Sequence, residues 1–138
     1  MRQIAVHDLD QARAALAAAE EAGMPIQLRS APDAAFYAGV EYLRALGDEV
    51  GHELLIDCAD DAGLVMAALR TGCRKLAFSG DAEVAEKLAD MAGQLGAELR
   101  HETAPPEVLL LSPESDLRAA ALAWLRSKAI SAGGQGAA

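Results

Sequence analysis

The chain is poor in aromatic residues, cysteine and positive charge. Aromatic residues make up 4% of the 138 positions, and there are two cysteines. Lys and Arg together number 12 against 21 Asp and Glu, which leaves a net charge of −9. A chain this acidic is repelled by nucleic-acid phosphates and by anionic lipid surfaces. We therefore expect neither nucleic acid nor a membrane among its partners.

Long hydrophobic runs are also missing, and we expect no N-terminal signal peptide. Charged residues appear within the first eight positions, at Arg2 and Asp8, where a signal peptide would have an apolar segment. The apolar stretches are far shorter than the ~18 residues that a membrane span needs. Cys58 and Cys73 are too few for a disulfide framework, so we predict free thiols in a reducing cytoplasm.

What the sequence does contain is a regular alternation of short apolar runs and helical patterns. Apolar residues make up 52% of the chain, which is enough for a core. Each interval between runs fits one helix, a rhythm typical of β–α units. The five runs are Gln3–Val6, Pro25–Leu28, Glu53–Ile56, Lys75–Phe78 and Ala97–Leu99.

This rhythm predicts one α/β domain over residues 1–130 and a flexible tail over residues 131–138. We expect three layers, with a mostly parallel five-stranded sheet and helices on both faces, either flavodoxin-like or half-barrel-like. Val108–Leu111 predicts a short sixth strand. Only eight residues separate it from the fifth run, too few for a parallel crossover, so we expect it to pair antiparallel or not at all.

Ligands of open parallel sheets bind outside the carboxyl ends of the strands. Small and polar residues follow each predicted strand at that edge, and they are the candidate ligand-binding residues. They are Asp8, Arg29, Ser30, Asp57, Cys58, Ser79, Gly80 and His101.

Three kinds of chemistry are conceivable at this edge. Asp57, Cys58 and His101 have the side chains of metal ligands, but no two stand at a recognised ligand spacing. The turn at Ser79 and Gly80 leads into a helix N-terminus that can hold an anion, although Asp81 opposes one. Cys58 ends a strand and would face the mouth of the sheet, yet the acidic neighbours oppose a thiolate. We predict no metal and no cofactor, with the Asp residues of this edge serving as helix caps.

Parts of the chain resemble known families. The stretches Leu28–Pro32, Tyr37–Gly39, Ile56–Asp60 and Leu69–Gly72 resemble a family of small bacterial α/β proteins without assigned function. That resemblance covers roughly residues 25–99 and implies a fold but no activity.

Two weaker resemblances concern signalling modules. Asp8, Asp57 and Ser79 resemble the acidic and hydroxyl positions of phospho-acceptor receiver domains, which also carry a Lys after the fifth strand, where this chain has Arg100–Glu102. The stretch Leu55–Leu69 resembles the STAS-type module.

Together these features predict a small cytoplasmic binding or interaction domain without catalysis. The alternative is an enzyme, or a remnant of one, that binds a small anionic or phosphorylated ligand at the carboxyl edge of the sheet.

The second helix, predicted over Asp33–Val50, carries three of the five aromatic residues, Phe36, Tyr37 and Tyr42. Because aromatic residues are enriched in interface cores, we expect a homodimer whose contact includes Tyr37 or Tyr42. The alternative is that this helix is buried under the last helix and Trp124.

Overall fold

The computed structural model describes residues 1–111 and 116–137, with side chains up to residue 127. Strands and helices alternate along this part of the chain. The strands are Arg2–Val6 (β1), Ile26–Ser30 (β2), Ile56–Asp57 (β3), Lys75–Phe78 (β4), Glu98–His101 (β5) and Val108–Leu110 (β6). The helices are Leu9–Ala22 (α1), Ala34–Tyr37 (α2), Val40–Val50 (α3), Ala62–Thr71 (α4), Ala82–Gln94 (α5) and Leu117–Ala137 (α6).

The strands form two three-stranded parallel sheets, ordered β2-β1-β6 and β3-β4-β5. The prediction of an α/β fold with parallel strands is confirmed, but the single five-stranded sheet is not what the structure shows. The two sheets meet between β2 and β3 at one parallel bridge, Arg29 to Leu55. The sixth strand exists and pairs parallel with β1, so the expected antiparallel pairing is wrong. The reason is that β6 joins the far edge of the other sheet and not its neighbour in sequence, β5.

Side chains replace part of the ladder where the two sheets meet. The Leu28 N–H donates to His52 Nε2 at 3.1 Å, and the Asp57 N–H donates to Ser30 Oγ at 2.8 Å. Gln27 Nε2 donates to the Glu53 carbonyl at 2.8 Å. Because β3 is only two residues long, these bonds satisfy backbone groups that a longer strand would pair.

One face of the strands forms the core with the helices. In-register partners point to the same side of a parallel sheet, so Ile4, Leu28, Ile56 and Leu76 share a face, and each is at most 1% exposed. They belong to one apolar cluster with residues of all the longer helices. The helices therefore pack against this face of the strands.

The other face, here called the open face, is lined differently. Its residues include Gln3, Ala5, Gln27, Arg29 and Lys75. No described helix residue lines the three cavities found along it.

The helices contact one another in the order α6-α1-α3-α4-α5, which follows the order of the strands that precede them. The prediction of helices on both faces is therefore wrong, because strands laid down in sequential order send right-handed crossovers to one side.

The second helix is broken where one continuous helix was expected. Asp33 and Gly39 both have positive φ angles, of 66° and 91°, and they bracket the four residues of α2. The break turns Phe36 away from the stripe that Val40 and Leu43 bury, and Phe36 is 66% exposed. The expectation that this helix is buried under Trp124 is wrong, since α6 packs chiefly on α1.

Ala121 and Leu125 of α6 are buried. The helix continues to Ala137, through most of the stretch predicted as a flexible tail, residues 131–138. The flexibility of that stretch stays a prediction. Within the described residues, none of the helices has the length and apolar character that crossing a bilayer requires.

Replacing His52 should test the junction of the two sheets. His52→Leu removes the acceptor of the Leu28 N–H and should lower the free energy of unfolding by about 1–3 kcal/mol. His52→Gln is the matched control, since its amide oxygen can still accept this bond. Urea denaturation compares the variants, and equal midpoints would contradict the assigned role.

The same residue predicts a pH dependence. Burial, followed by the charge of Lys75, lowers the pKa of His52, while Glu53 acts in the opposite direction. The unfolded chain, with a His pKa of about 6.5, then binds the proton more readily than the native one. Stability should therefore fall as the pH drops below about 6.5, and His52→Gln should lose this component of the fall.

Candidate functional site

Arg29 is the centre of the open face. This side chain is 4% exposed, although it carries a full positive charge. Its Nη1 donates to Glu102 Oε2 at 2.7 Å, and its Nη2 donates to Glu102 Oε1 at 2.5 Å, so the pair is bidentate. Nη2 also lies 3.2 Å from Asp57 Oδ2, and Nη1 donates to Gln3 Oε1 at 3.2 Å. A buried guanidinium needs several acceptors, and here it has them.

The acceptors come from different parts of the fold. Gln3 belongs to β1, Asp57 ends β3, and Glu102 follows β5, so Arg29 links the two sheets. Burial by itself would lower the pKa of Arg29, but the hydrogen bond and charge of Glu102, followed by those of Asp57, raise it. The guanidinium is therefore a fixed cation at any physiological pH.

The turn after β3 fixes Asp57 beside β4. Asp57 Oδ1 accepts the Ala59 N–H at 2.9 Å, and the Ser79 N–H donates to the Ala59 carbonyl at 2.8 Å. Ala59 has a φ of 51°, in the left-handed region that alanine rarely adopts. Asp57 and Ser79 thereby line the same cavity.

Two adjoining cavities lie over Arg29 and Asp57. The first, of about 290 Å³, is the more polar and includes Ser79, Glu102 and Thr103. The second, of about 250 Å³, also includes Ser30 and has mainly apolar walls. Its apolar walls are Ala5, Pro32, Pro105, Pro106, Val108 and Leu110. Apolar walls with a few convergent polar groups are typical of small-molecule sites.

The segment from β5 to β6, residues 102–107, crosses the open face. It connects β5, at the edge of one sheet, with β6, at the far edge of the other. It places Glu102 on Arg29 and Pro105 and Pro106 over both cavities.

Four of the eight candidate residues come together here: Arg29, Ser30, Asp57 and Ser79. Arg29 and Ser30 lie within β2 rather than after it, since the strand is longer than its apolar run. Asp8 instead caps α1 by accepting the Gln11 N–H at 2.9 Å. Gly80 and His101 pair with each other, with His101 Nε2 2.8 Å from the Gly80 carbonyl oxygen.

The anion site considered at the turn after β4 is filled by a side chain, as the position of Asp81 suggested. Asp81 caps α5 by accepting the N–H groups of Glu83 and Val84. The backbone donors that would hold a phosphate at this helix N-terminus are therefore already engaged.

Cys58 is not at the mouth of the sheet as expected, because its side chain turns into the core and is 0% exposed. Burial, followed by the charge of Asp57, raises the pKa of this thiol to about 12. A thiol that stays protonated is a poor nucleophile. Cys73 is also buried, and both thiols are free, as predicted.

Three features of the site were not predicted from the sequence. They are the contacts of Glu102 and Gln3 with Arg29 and the segment that covers the site. One signal for the open face was available in β2, where Ile26–Arg29 alternate between apolar and polar residues. Strands covered by helices on both faces are instead continuously hydrophobic. Glu102 gave no local signal, since it lies 73 positions from its partner Arg29.

Other features of the described residues offer weaker sites. No group of three or more His, Cys, Asp or Glu residues is arranged to hold a metal ion. A cavity of about 370 Å³ at the opposite edge includes His52, Cys73 and Arg44. It lies near the starts of the strands and lacks a buried charge such as Arg29.

Comparison with known proteins gives no assignment, since neither a family model nor a curated protein matches this chain. The resemblances noted in the sequence therefore stay predictions.

Breaking the bidentate pair should destabilise the fold. Glu102→Gln keeps the shape but leaves Arg29 with less compensation, at a cost of about 2–4 kcal/mol in the free energy of unfolding. Glu98→Gln, at an exposed acid of the strand that precedes Glu102, is the matched control and should change stability by less than about 0.5 kcal/mol. Similar urea midpoints for the two variants would show that the pair contributes little.

Both thiols should be inert in the native protein. Because Cys58 and Cys73 are buried and their pKa values are raised, Ellman's reagent at pH 8 should label neither within minutes. In denaturant it should label both. Rapid native labelling that Cys73→Ala does not remove would place an accessible thiol at Cys58.

Proposed function

We propose that this protein is a non-catalytic binding domain that holds a small organic molecule on the open face of its sheets. The observation that carries the proposal is the pair of adjoining cavities over Arg29 and Asp57, on a face that the described helices leave uncovered. Such sites hold the apolar part of a ligand by burial and its polar part by a few fixed groups.

The charges of the site favour a neutral or cationic ligand. Arg29 contributes one positive charge, while Asp57 and Glu102 contribute two negative ones. Asp60, Asp61 and Asp81 add further negative charge at the same edge. The hydrogen bonds of Arg29 are already directed at these carboxylates, so an anion would have to displace one of them.

A second candidate function is the binding of a small anionic or phosphorylated ligand by an enzyme or enzyme remnant. Arg29 favours it, as a guanidinium that lines both cavities. We rank it second because Glu102 already occupies that guanidinium bidentately.

A role in binding rather than catalysis has its own support. Asp57 accepts from Ala59 and Arg29, Glu102 is paired with Arg29, and the Cys58 thiol stays protonated. Groups engaged in this way hold the site together and have little capacity for proton transfer or nucleophilic attack.

The setting we propose is the cytoplasm, in keeping with the free thiols Cys58 and Cys73. We also propose that the two sheets together form a curled, half-barrel-like surface, supported by the contact between β2 and β5 through Arg29 and Glu102. The working unit in this proposal is a homodimer that uses Tyr37 and Tyr42.

Three probes that share one apolar body test the site and its charge preference. They are 3-methylbutan-1-amine, 3-methylbutan-1-ol and 3-methylbutanoate, which differ only in the head group. In amide NMR titrations at millimolar concentration, the amine and the alcohol should shift the signals of Ala59, Ser79 and Thr103. The carboxylate should leave them in place. Tighter binding of the carboxylate would favour the anionic alternative, and no shift with any probe would count against this site.

A matched pair of variants makes this test specific. Asp57→Asn removes a negative charge at the cavities and should weaken amine binding roughly two- to fivefold. Asp60→Asn changes an exposed neighbour that lines neither cavity and should leave the affinity unchanged. Equal effects would mean that the amine responds only to the overall charge.

A further inference from the structure

Three aromatic side chains stand exposed beside the break between α2 and α3. Phe36 is 66% exposed, Tyr37 is 82% exposed and Tyr42 is 42% exposed. We call these three residues the aromatic surface. The rings of Phe36 and Tyr37 pack edge to face with centroids 5.1 Å apart, so they form one protruding unit. In a chain with five aromatic residues, this concentration on solvent-exposed positions indicates a contact surface.

A groove adjoins this protruding pair. It begins at Ala38 and Gly39, directly after Tyr37, and runs between α3 and α4 to Ala67 and Thr71. Its volume is about 850 Å³. A protrusion and a groove side by side on one face are what a two-fold contact requires, because each copy presents the same patch to the other.

The charges of the groove point to its occupant. Glu41 and Arg70 both line it, and neither makes a hydrogen bond or an ion pair with any residue that the structure describes. One acid and one base make the groove locally neutral on a chain with a net charge of −9. A groove that bound a strongly charged partner would carry charge of one sign, opposite to that of the partner. A balanced pair is instead complementary to itself when a two-fold axis exchanges the copies.

We infer that a second copy of this chain occupies the groove, with Phe36 and Tyr37 of each protomer seated in the groove of the other. Across the two-fold axis, Glu41 of each protomer faces Arg70 of the partner subunit. The inference specifies the contact of the homodimer proposed above. It is independent of ligand binding, because none of these residues lines the two cavities over Arg29.

Charge exchange tests this arrangement. Sedimentation equilibrium at micromolar concentration should give about twice the 14.3 kDa of one chain. Glu41→Arg and Arg70→Glu should each weaken the dimer at least about tenfold, because like charges then face each other. The double variant should restore the affinity to within about threefold of the unmodified protein. Tyr37→Glu should give a monomer with an unchanged circular dichroism spectrum.

Glu83→Arg and Lys87→Glu, an exposed pair on α5, form the matched control and should leave the dimer intact. An unmodified protein that stays monomeric at 100 µM would refute the inference. A dimer that none of the Glu41, Arg70 and Tyr37 variants weakens would assign the contact to another surface. Single variants that weaken the dimer without recovery in the double variant would refute the pairing of Glu41 with Arg70. The NMR titrations with small probes are unaffected by any of these outcomes, so the two proposals fail separately.

Discussion

A buried positive charge constrains this fold more than any other feature. The Arg29 guanidinium is almost completely removed from water, and leaving it there without acceptors would cost several kcal/mol. Its acceptors are carried by β1, by the end of β3 and by the residue after β5. Both sheets and the segment across the open face must therefore be in place at once. The contacts of Arg29 therefore help to select this arrangement of the sheets and the segment, as well as to stabilise it.

The junction between the sheets shows how polar side chains complete a short strand. His52 accepts a β2 N–H, Ser30 Oγ accepts the Asp57 N–H of β3, and Gln27 donates to the Glu53 carbonyl. Because β3 has only two residues, these side chains make hydrogen bonds that backbone groups of a longer strand would make. Side chains therefore join the two sheets in addition to the bridge between Arg29 and Leu55.

The sequence predicted the local features well and the long-range ones poorly. The apolar run Lys75–Phe78 is β4 as predicted, and Asp8, Asp61 and Asp81 cap helices as expected, because periodicity and capping depend on neighbours in the chain. The pairing of Arg29 with Glu102 depends on the strand order, which no local pattern encodes. The alternation of polar and apolar residues in β2 indicated one uncovered face, but the β–α rhythm alone suggested two covered faces.

The exposure of the aromatic surface is set by the backbone and not by packing. Asp33 and Gly39 hold positive φ angles at the two ends of α2, so this helix of four residues is separate from α3. The left-handed conformation of Asp33 costs some backbone strain. The dimer proposed above would offset that cost, because it would bury apolar area of Phe36 and Tyr37 that the monomer leaves in water. Pro32, a wall of the apolar cavity, comes two residues before α2. Only a few residues of chain therefore separate this cavity from the aromatic surface.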